Sequence, residues 1–583
     1  MLSEYKRLAP WFKKYLPMYI AGVICLLLTD AGLLYVPRLT REAVDIIAAG
    51  SPDLHLILRI SVIMVVISLF VVIGRFGWRF FITGSARRIE SGLRGLLFEH
   101  ILKLQPGFFE ERKTGDIMAR FTNDMRAIRM ACGMAIVSLI DGVFMAAFIL
   151  VILFIDYPSL AGWIIIPLPV LAVLVLGMGR LLGKRTKRVQ EGFAALSSIV
   201  QETFAGIRVF KTMSREQYAV EKFSESNDEY IRRTLSLVRI WGLFFPLINF
   251  LAGCTTLLLL WFGGLQVMDG KMSPGDFAAV LSYLNLLVWP MMGAGFTINW
   301  LERGAASLSR IGELLDVEPE IKSGDAQTDD GIPVAPVGDI DFRDLNFSWS
   351  EGTDAVLEGI SFSIPRGAAV GIFGRTGSGK SCLVNLLPRL YDPPPQTIFI
   401  GGRDIRTYDL QTLRKSVGLV QQESFLFSET IKENISFTAG DAADERIMEA
   451  AEFSTIARDL KEFPFGWDTM VGERGHSLSG GQKQRIAVSR AYLTDPEILI
   501  FDDCLSAVDA ETESKILRQF IEKRKGRTSI IISNRTSSLS AADFIIVLEN
   551  GRISAKGPHE RLIKESGLYR SIYRLQQVEH ERR

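Results

Sequence analysis

Six apolar runs of membrane-crossing length, a short apolar strand that runs into GRTGSGKS, and a second such strand, EILIFDD, that ends in two acids predict two fold classes in one chain. The first is an α-helical membrane domain; the second is an α/β domain built around a phosphate-binding loop. Composition agrees. Of 583 residues, 48% are hydrophobic and 22% charged, and the mean hydropathy of +0.22 is high for a soluble protein. A net charge of +1 gives no global argument for nucleic acid, and none is expected as a partner. Cys25, Cys132, Cys254, Cys382 and Cys504 are scattered with no CxxC pair, which reads as free thiols rather than a disulfide framework or a zinc site.

In chain order, EYKRLAPWFKKYL (Glu4 to Leu16) mixes Lys and Arg with Trp, Phe and Leu, a composition suited to lying on the membrane surface ahead of the first span. Spans are expected at about Leu16–Val36, Leu56–Gly74, Met134–Ile155, Leu160–Leu182, Ile240–Val267 and Phe277–Trp300, each near the roughly 20 residues that a crossing requires. The first run is too long for a signal-peptide core and is followed by five more, so it reads as a true span. Basic residues set the orientation. Lys6, Arg7, Lys13 and Lys14 precede the first span. Arg87, Arg88, Arg112, Lys113, Arg185, Lys187 and Arg188 crowd the two long connections, between spans two and three and between four and five. Both termini and both long connections are therefore expected in the cytoplasm. As helices rising about 1.5 Å per residue, those connections would carry the spans tens of Å beyond the bilayer.

Asp30 and Asp141 interrupt apolar runs, and Arg75 and Arg79 lie at a span end. Two readings stay open: interhelical hydrogen bonding with snorkelling, or a polar spot on a substrate path. Trp289, Met292, Phe296 and Trp300 recur at helical spacing on the sixth run, either as a lipid-facing or packing stripe or as the wall of a cavity for greasy ligands. The expected division is a membrane domain over 1–315, a linker over 316–338 containing the polar, Pro/Gly-rich GDAQTDDGIPVAPVGD, and a nucleotide domain over 339–583.

The soluble half is built around phosphates. In AAVGIFGRTGSGKS the pattern GxxxxGKS starts at Gly374. Gly374, Arg375, Thr376, Gly377, Ser378 and Gly379 form a loop whose backbone N–H groups turn inward toward phosphate oxygens. Lys380 reaches the β- and γ-phosphates and Ser381 ligates Mg²⁺. Cys382 opens the helix CLVNLLPRL, which presents its positive end to the anion. EILIFDD then delivers Asp502 to the phosphate mouth of a parallel sheet as the second half of the magnesium site. ATP and Mg²⁺ are the expected cofactors.

LSGGQKQR (Leu478 to Arg485) narrows the class. It lies about a hundred residues past the loop and just ahead of the acidic strand, and it closely resembles the signature of ATP-binding cassette (ABC) proteins. Six spans followed by one cassette resemble an ABC exporter half-transporter over nearly the whole chain. The resemblance assigns further positions. Trp349 matches the aromatic that stacks on adenine. Gln422, in LVQQESFLF, matches the glutamine that senses Mg²⁺. Glu473, in TMVGERG, falls in the exporter-specific loop that meets the coupling helices, and Ser506 to Asp509 match the D-loop. Gly107 to Asp124 resemble the first coupling region, and residues near Arg208–Glu216 occupy the place of the second. The bland reading of the signature is an N-cap at Ser479. The family reading places Ser479, Gly480, Gly481 and Gln482 over the partner's ATP, which implies a dimer.

Two positions depart from the family. Asp503 stands where a water-activating Glu is usual, and Asn534, in IIISNRTSSL, stands where the switch His is usual. With Gln422, these form the expected catalytic set. The pair of departures beside an intact loop resembles the degenerate-site member of bacterial heterodimeric multidrug exporters. That resemblance implies a second, different half-transporter chain that keeps the Glu and the His and carries an imperfect signature. It also implies a hydrophobic small-molecule substrate and a place in the cytoplasmic membrane. A homodimeric lipid or peptide exporter with slow ATPase and an ATP-gated channel or regulatory subunit are the alternatives.

Overall fold

The structure, a computed structural model, describes every residue except 1, 51–52, 328–330, 350–353, 441, 473–474, 476 and 582–583. Side chains at 2, 164–165, 168, 171–172, 175–176, 180, 245, 252, 288–292, 294–295 and 579–581 are likewise outside the description. Two compact units result, one of Met1–Leu102 and Lys113–Val317 and the other of Lys103–Arg112 and Glu318–Arg583.

The first unit is helical. Its long elements are α1 (Ala9–Ala48), α2 (Leu54–Trp78), α3 (Gly84–Ile101), α4 (Met134–Asp156), α5 (Pro167–Ala205), α6 (Glu216–Leu258) and α7 (Pro274–Leu315). A π turn at Arg79–Thr83 joins α2 to α3 without a break. Among the described residues, the continuous helices Ser3–Ala48, Leu54–Ile101, Thr114–Asp156 and Glu216–Met268 are long and apolar enough to cross a membrane. At most 33% of each one's most apolar window is buried, so the greasy side chains face outward, as a lipid-solvated helix requires. The sixth run lies wholly on α7. The fourth is not one helix. A helix at Pro158–Ile165 precedes α5, and Ile166 keeps helical angles (φ −51°, ψ −44°). The path therefore continues while Pro167, which has no N–H, interrupts the hydrogen-bond ladder. The second coupling position is a short helix, Ile207–Thr212, between α5 and α6.

Polar clamps lock the helix ends. Asp53 caps α2 by accepting from His55 N at 3.0 Å. Ser273 caps α7 in a capping box with Asp276. Asp45 on α1 accepts from Ser273 Oγ at 2.9 Å and Gly275 N at 2.7 Å. A Cβ on Gly275 would meet Arg41 O at 2.2 Å, so only glycine lets α1 and α7 approach this closely. Asp124, 5% exposed, accepts from Ser307 Oγ at 2.9 Å and Arg310 Nε at 3.1 Å on α7. Asp30, on α1, is 2% exposed and has Asp141 of α4 as its acidic neighbour. Its Oδ2 finds no partner among the described residues. In the stripe on α7, Phe296 and Trp300 stack at 6.0 Å; the side chains of Trp289 and Met292 lie outside the described residues.

The second unit holds two sheets. β1 (Ile340–Phe347), β2 (Leu357–Ile364), β4 (Ile398–Ile400) and β5 (Arg403–Asp404) form an antiparallel sheet in the order β2-β1-β4-β5. β3 (Ala369–Gly374), β6 (Val417–Val420), β7 (Ile498–Asp502), β8 (Thr528–Ile532), β9 (Phe544–Glu549) and β10 (Arg552–Gly557) form a sheet ordered β10-β9-β3-β8-β7-β6. It is parallel apart from β10. β3, β7 and β8 are buried along their whole length, as central strands covered on both faces must be. Because β3, β8 and β7 are adjacent and parallel, their C-terminal ends open on one edge. The site lies there.

Candidate functional site

β3 ends at Gly374, where a Cβ would meet Leu548 O at 2.4 Å. The next turns place Gly377 at φ +83° and Gly379 at φ +94°, a left-handed path that side chains disfavour. A Cβ at Gly379 would also press on Leu357 at 2.7 Å. The loop returns as α8 (Lys380–Asn385), shorter than the expected helix, which loosens into turns ahead of Pro388. Lys380 donates to Gly374 O at 2.8 Å and Arg375 O at 2.9 Å. Burial pushes its ammonium below the usual lysine range, opposed by Asp503 and Asp502. Burial raises the Cys382 thiol to about 12, so it stays protonated and adds no negative charge beside the phosphate loop.

β7 delivers Asp502 into the same group. Burial lifts its carboxyl above the ordinary range, while hydrogen bonding to Ser381 and the charge of Lys380 pull the other way. Asp503 follows at φ +44°, and its N–H is tied to Ile532 O of β8 at 3.0 Å. Its carboxyl is raised first by burial and then by Asp502. Thus Lys380, Ser381, Asp502 and Asp503 converge at the ends of β3 and β7. Ser378 Oγ is buried and has no partner among the described residues. That orphaned hydroxyl, the glycine cradle and the Ser381–Asp502 pair fit a triphosphate with Mg²⁺, an oxygen-seeking cation.

Other expected residues stand apart from this group. Gln422 lies exposed in the loop after β6, and no hydrogen bond joins it to Ser381 or Asp502 among the described residues. Asn534 lies exposed just past β8, its carbonyl accepting from Gln576 Nε2 at 2.9 Å. Gln576 also accepts from Thr536 N and Oγ1 at 2.9 and 2.8 Å. The terminal helix α10 (Gly567–Glu581) thereby grips the segment around Asn534. Trp349, 50% exposed, meets Tyr391 edge to face at 4.7 Å. The Tyr391 hydroxyl donates to Glu110 at 2.6 Å. Glu473 lies outside the described residues.

The N-cap at Ser479 is realised. Ser479 opens α9 (Gly480–Leu493) in a capping box with Gln482. Gln482 and Arg485 are both fixed by Asp459, the latter through bonds of 3.0 and 2.6 Å. Gln484 holds the D-loop, accepting from Ala507 N at 2.9 Å. A Cβ on Gly481 would meet Ala507 O at 2.9 Å. Reasoning along the chain missed Asp459, Gln484, Tyr391 and Gln576. Each acts through a partner distant in sequence; Gln484 lies within the quoted LSGGQKQR, but only its bond to Ala507 shows its role, and the other three carry no motif.

Comparison with known proteins agrees with this geometry. Residues 19–291 match the ABC transporter transmembrane region and residues 357–506 the ABC transporter family model. The chain is 36% identical over 579 residues to the probable multidrug resistance ABC transporter ATP-binding/permease protein YheI of Bacillus subtilis, covering 99% of this chain and 98% of that one. It is 33% identical over 580 residues to the multidrug resistance-like ATP-binding protein MdlA of Escherichia coli, covering 99% and 97%. It is 30% identical over 582 residues to the ATP-dependent lipid A-core flippase of Syntrophus aciditrophicus, covering 99% and 95%. Among solved structures, a bacterial Atm1-family ABC exporter with ATP bound superposes with a TM-score of 0.78 at 25% identity, covering 96% of this chain and 99% of that one.

Proposed function

We propose that this chain, which belongs to the ABC transporter family with an exporter-type membrane region and one cassette in a single polypeptide, drives export of hydrophobic or amphipathic compounds as one half of a heterodimer. It is a multi-pass membrane protein with an ATP-binding domain, and its relatives are of multidrug and lipid-flippase type. The observation that carries the finer reading is an intact cradle, Gly374 to Ser381 with Asp502, beside two substituted groups at its hydrolytic end, Asp503 and Asn534.

In this reading, Lys380 and the loop N–H groups hold the phosphates. Ser381 and Asp502, with Gln422 moving in, hold Mg²⁺, and Trp349 stacks on adenine. ATP bound there supplies the energy of phosphoanhydride cleavage only if water is activated, and here the activation is weak. Asp503 is one methylene shorter than Glu, and proton abstraction needs heavy atoms within about 3 Å of each other. Asn534 offers neither charge nor basicity. Ser479 to Gln482 cover the partner's ATP, where a Glu and a His remain. The domain limits are 1–315, 316–338 and 339–583. Both termini are cytoplasmic, and the membrane is the bacterial cytoplasmic one.

The test is the subunit composition of the complex purified from its native membrane through a tag on this chain. A one-to-one complex with a different chain of similar size is expected. A complex of two identical copies would overturn the division of labour. It would favour the second reading, a slow homodimeric lipid exporter, which the likeness to the lipid A-core flippase supports.

A further inference from the structure

The helical unit holds a polar cleft of about 420 Å³ between α5 and α6, lined by Arg185, Arg188, Glu191, Glu229, Arg232 and Arg233, with Ser236 at its side. Its height along the helices is fixed by sequence. Arg185 and Arg188 follow directly on the apolar run that ends near Leu182. Arg232 and Arg233 lie two turns ahead of the run that begins near Ile240. Both walls therefore leave the hydrocarbon at this cleft.

The cleft is preorganised. Glu229 holds Arg233 at 2.7 Å and Arg232 at 2.9 Å. Arg233 also donates to Arg188 O at 3.2 Å, strapping α6 to α5. A Cβ on Gly192 would meet Arg233 Cδ at 3.2 Å, and Phe193 packs against Tyr230 at 5.8 Å. Four guanidiniums thus face two carboxylates, one of which is already shared. Arg185 and Arg188 have no ion-pair partner among the described residues. Positive charge at a span end orients a chain in the bilayer, and scattered exposed lysines would serve that purpose. Here two unpaired arginines instead line a formed cleft.

We propose that this cleft binds the phosphate of an anionic phospholipid headgroup. Two guanidinium forks match a phosphodiester in shape and charge, and basic pockets between helices at the membrane boundary suit such headgroups. The lipid, rather than free phosphate, is the occupant because the neighbouring surface is apolar. Leu181 on α5 and Leu235 and Val238 on α6 are exposed and give acyl chains a place to lie.

The experiment uses the intact transporter complex in nanodiscs of phosphatidylcholine with a minor fraction of phosphatidylglycerol, counting phosphatidylglycerol retained per complex by mass spectrometry. Arg185→Ala with Arg188→Ala is expected to weaken retention by about thirtyfold, the effect of two basic contacts at the membrane surface. Lys184→Ala with Lys187→Ala removes the same charge from the same stretch outside the cleft and should leave retention unchanged. Equal losses from the two pairs would overturn the site in favour of diffuse surface attraction. Should the alanine pair fail to assemble, Arg185→Lys with Arg188→Lys decides. It keeps the charge but removes the fork, and undiminished retention in it would overturn the proposal. Inorganic phosphate is expected not to displace the lipid; displacement would assign the cleft to free phosphate instead. No readout requires ATP or transport, so the outcome stands apart from the functional reading above.

Discussion

At the end of β7 two carboxylates stand side by side, and burial raises both Asp502 and Asp503 above the ordinary range. The usual partnered carboxylate is depressed and stabilises the fold once ionised. These two have the opposite sign. Their folded state holds a proton more tightly than the unfolded chain does, so stability is lost as pH rises from the unfolded-state value to the folded-state value and stays lost above it. Asp502→Asn should therefore leave the nucleotide-free thermal midpoint at neutral pH unchanged or higher, while the rise produced by ATP with Mg²⁺ shrinks. Scanning fluorimetry with and without the ligand reads both; a lower nucleotide-free midpoint would contradict the argument. Asp503 leads to a second expectation. Restoring the methylene by Asp503→Glu moves the carboxylate out by about 1.5 Å, but Asn534 still offers no imidazole. Phosphate release at this site should change by no more than a few-fold in the single variant. It should rise toward about a hundredfold only when Asn534→His is added. The measurement needs a complex whose other site has been silenced, and a large rise from Asp503→Glu alone would sink the division of labour. Both substitutions were visible in the sequence because the motifs around them are local. The left-handed turn at Asp503, φ +44°, was not, because it depends on the bond to Ile532 in another strand.

Among the elements, the start of α9 shows how a glycine is fixed by its neighbours. Gly→Ala in a helix ordinarily gains about 1 kcal/mol. At Gly481 the added Cβ would press on Ala507 O at 2.9 Å, and backbone does not yield cheaply. Gly481→Ala is expected to destabilise the nucleotide unit by about 1–3 kcal/mol and to loosen the D-loop that Gln484 holds, read as a lower thermal midpoint and faster amide exchange at Ser506 to Asp509. Tyr391 makes a different kind of link. Its ring meets Trp349 and its hydroxyl meets Glu110, in the segment Lys103–Arg112 that packs with the nucleotide unit. Tyr391→Phe keeps the ring and removes the bond. ATP binding should hold within about five-fold, since a single net hydrogen bond is worth about 1 kcal/mol. Amide exchange over Lys103–Arg112 should quicken; unchanged exchange would show that the bond does not order the segment. The helical runs could be read ahead of the structure because apolar length is a one-dimensional property, whereas the break in the fourth at Pro167 could not be read from apolar length. That Lys103–Arg112 joins the second unit could not, because Glu110 and Tyr391 are 281 residues apart in sequence.

At the scale of the whole molecule, the asymmetry proposed for the two ATP sites can be observed without knowing the transported compound. This chain's own site would hold ATP through Lys380, Ser381 and Asp502 and cleave it slowly. Its Ser479 to Gln482, fixed by Asp459 and the Ala507 contact, would close the partner's site, where cleavage is fast. During turnover the nucleotide on this chain should then be triphosphate and that on the partner mostly diphosphate. Photolabelling the working complex with 8-azido-ATP carrying its radiolabel on the γ-phosphate distinguishes them. The γ-label should stay on this chain, whereas an α-label marks both chains. Asn534→His combined with Asp503→Glu should move γ-label off this chain, because the added base and imidazole complete the hydrolytic end. Equal γ-label on both chains of the unaltered complex would mean that the two substitutions do not set the order of cleavage. The asymmetry would then have to be sought in the signature of the partner rather than in β7 and the segment that α10 grips.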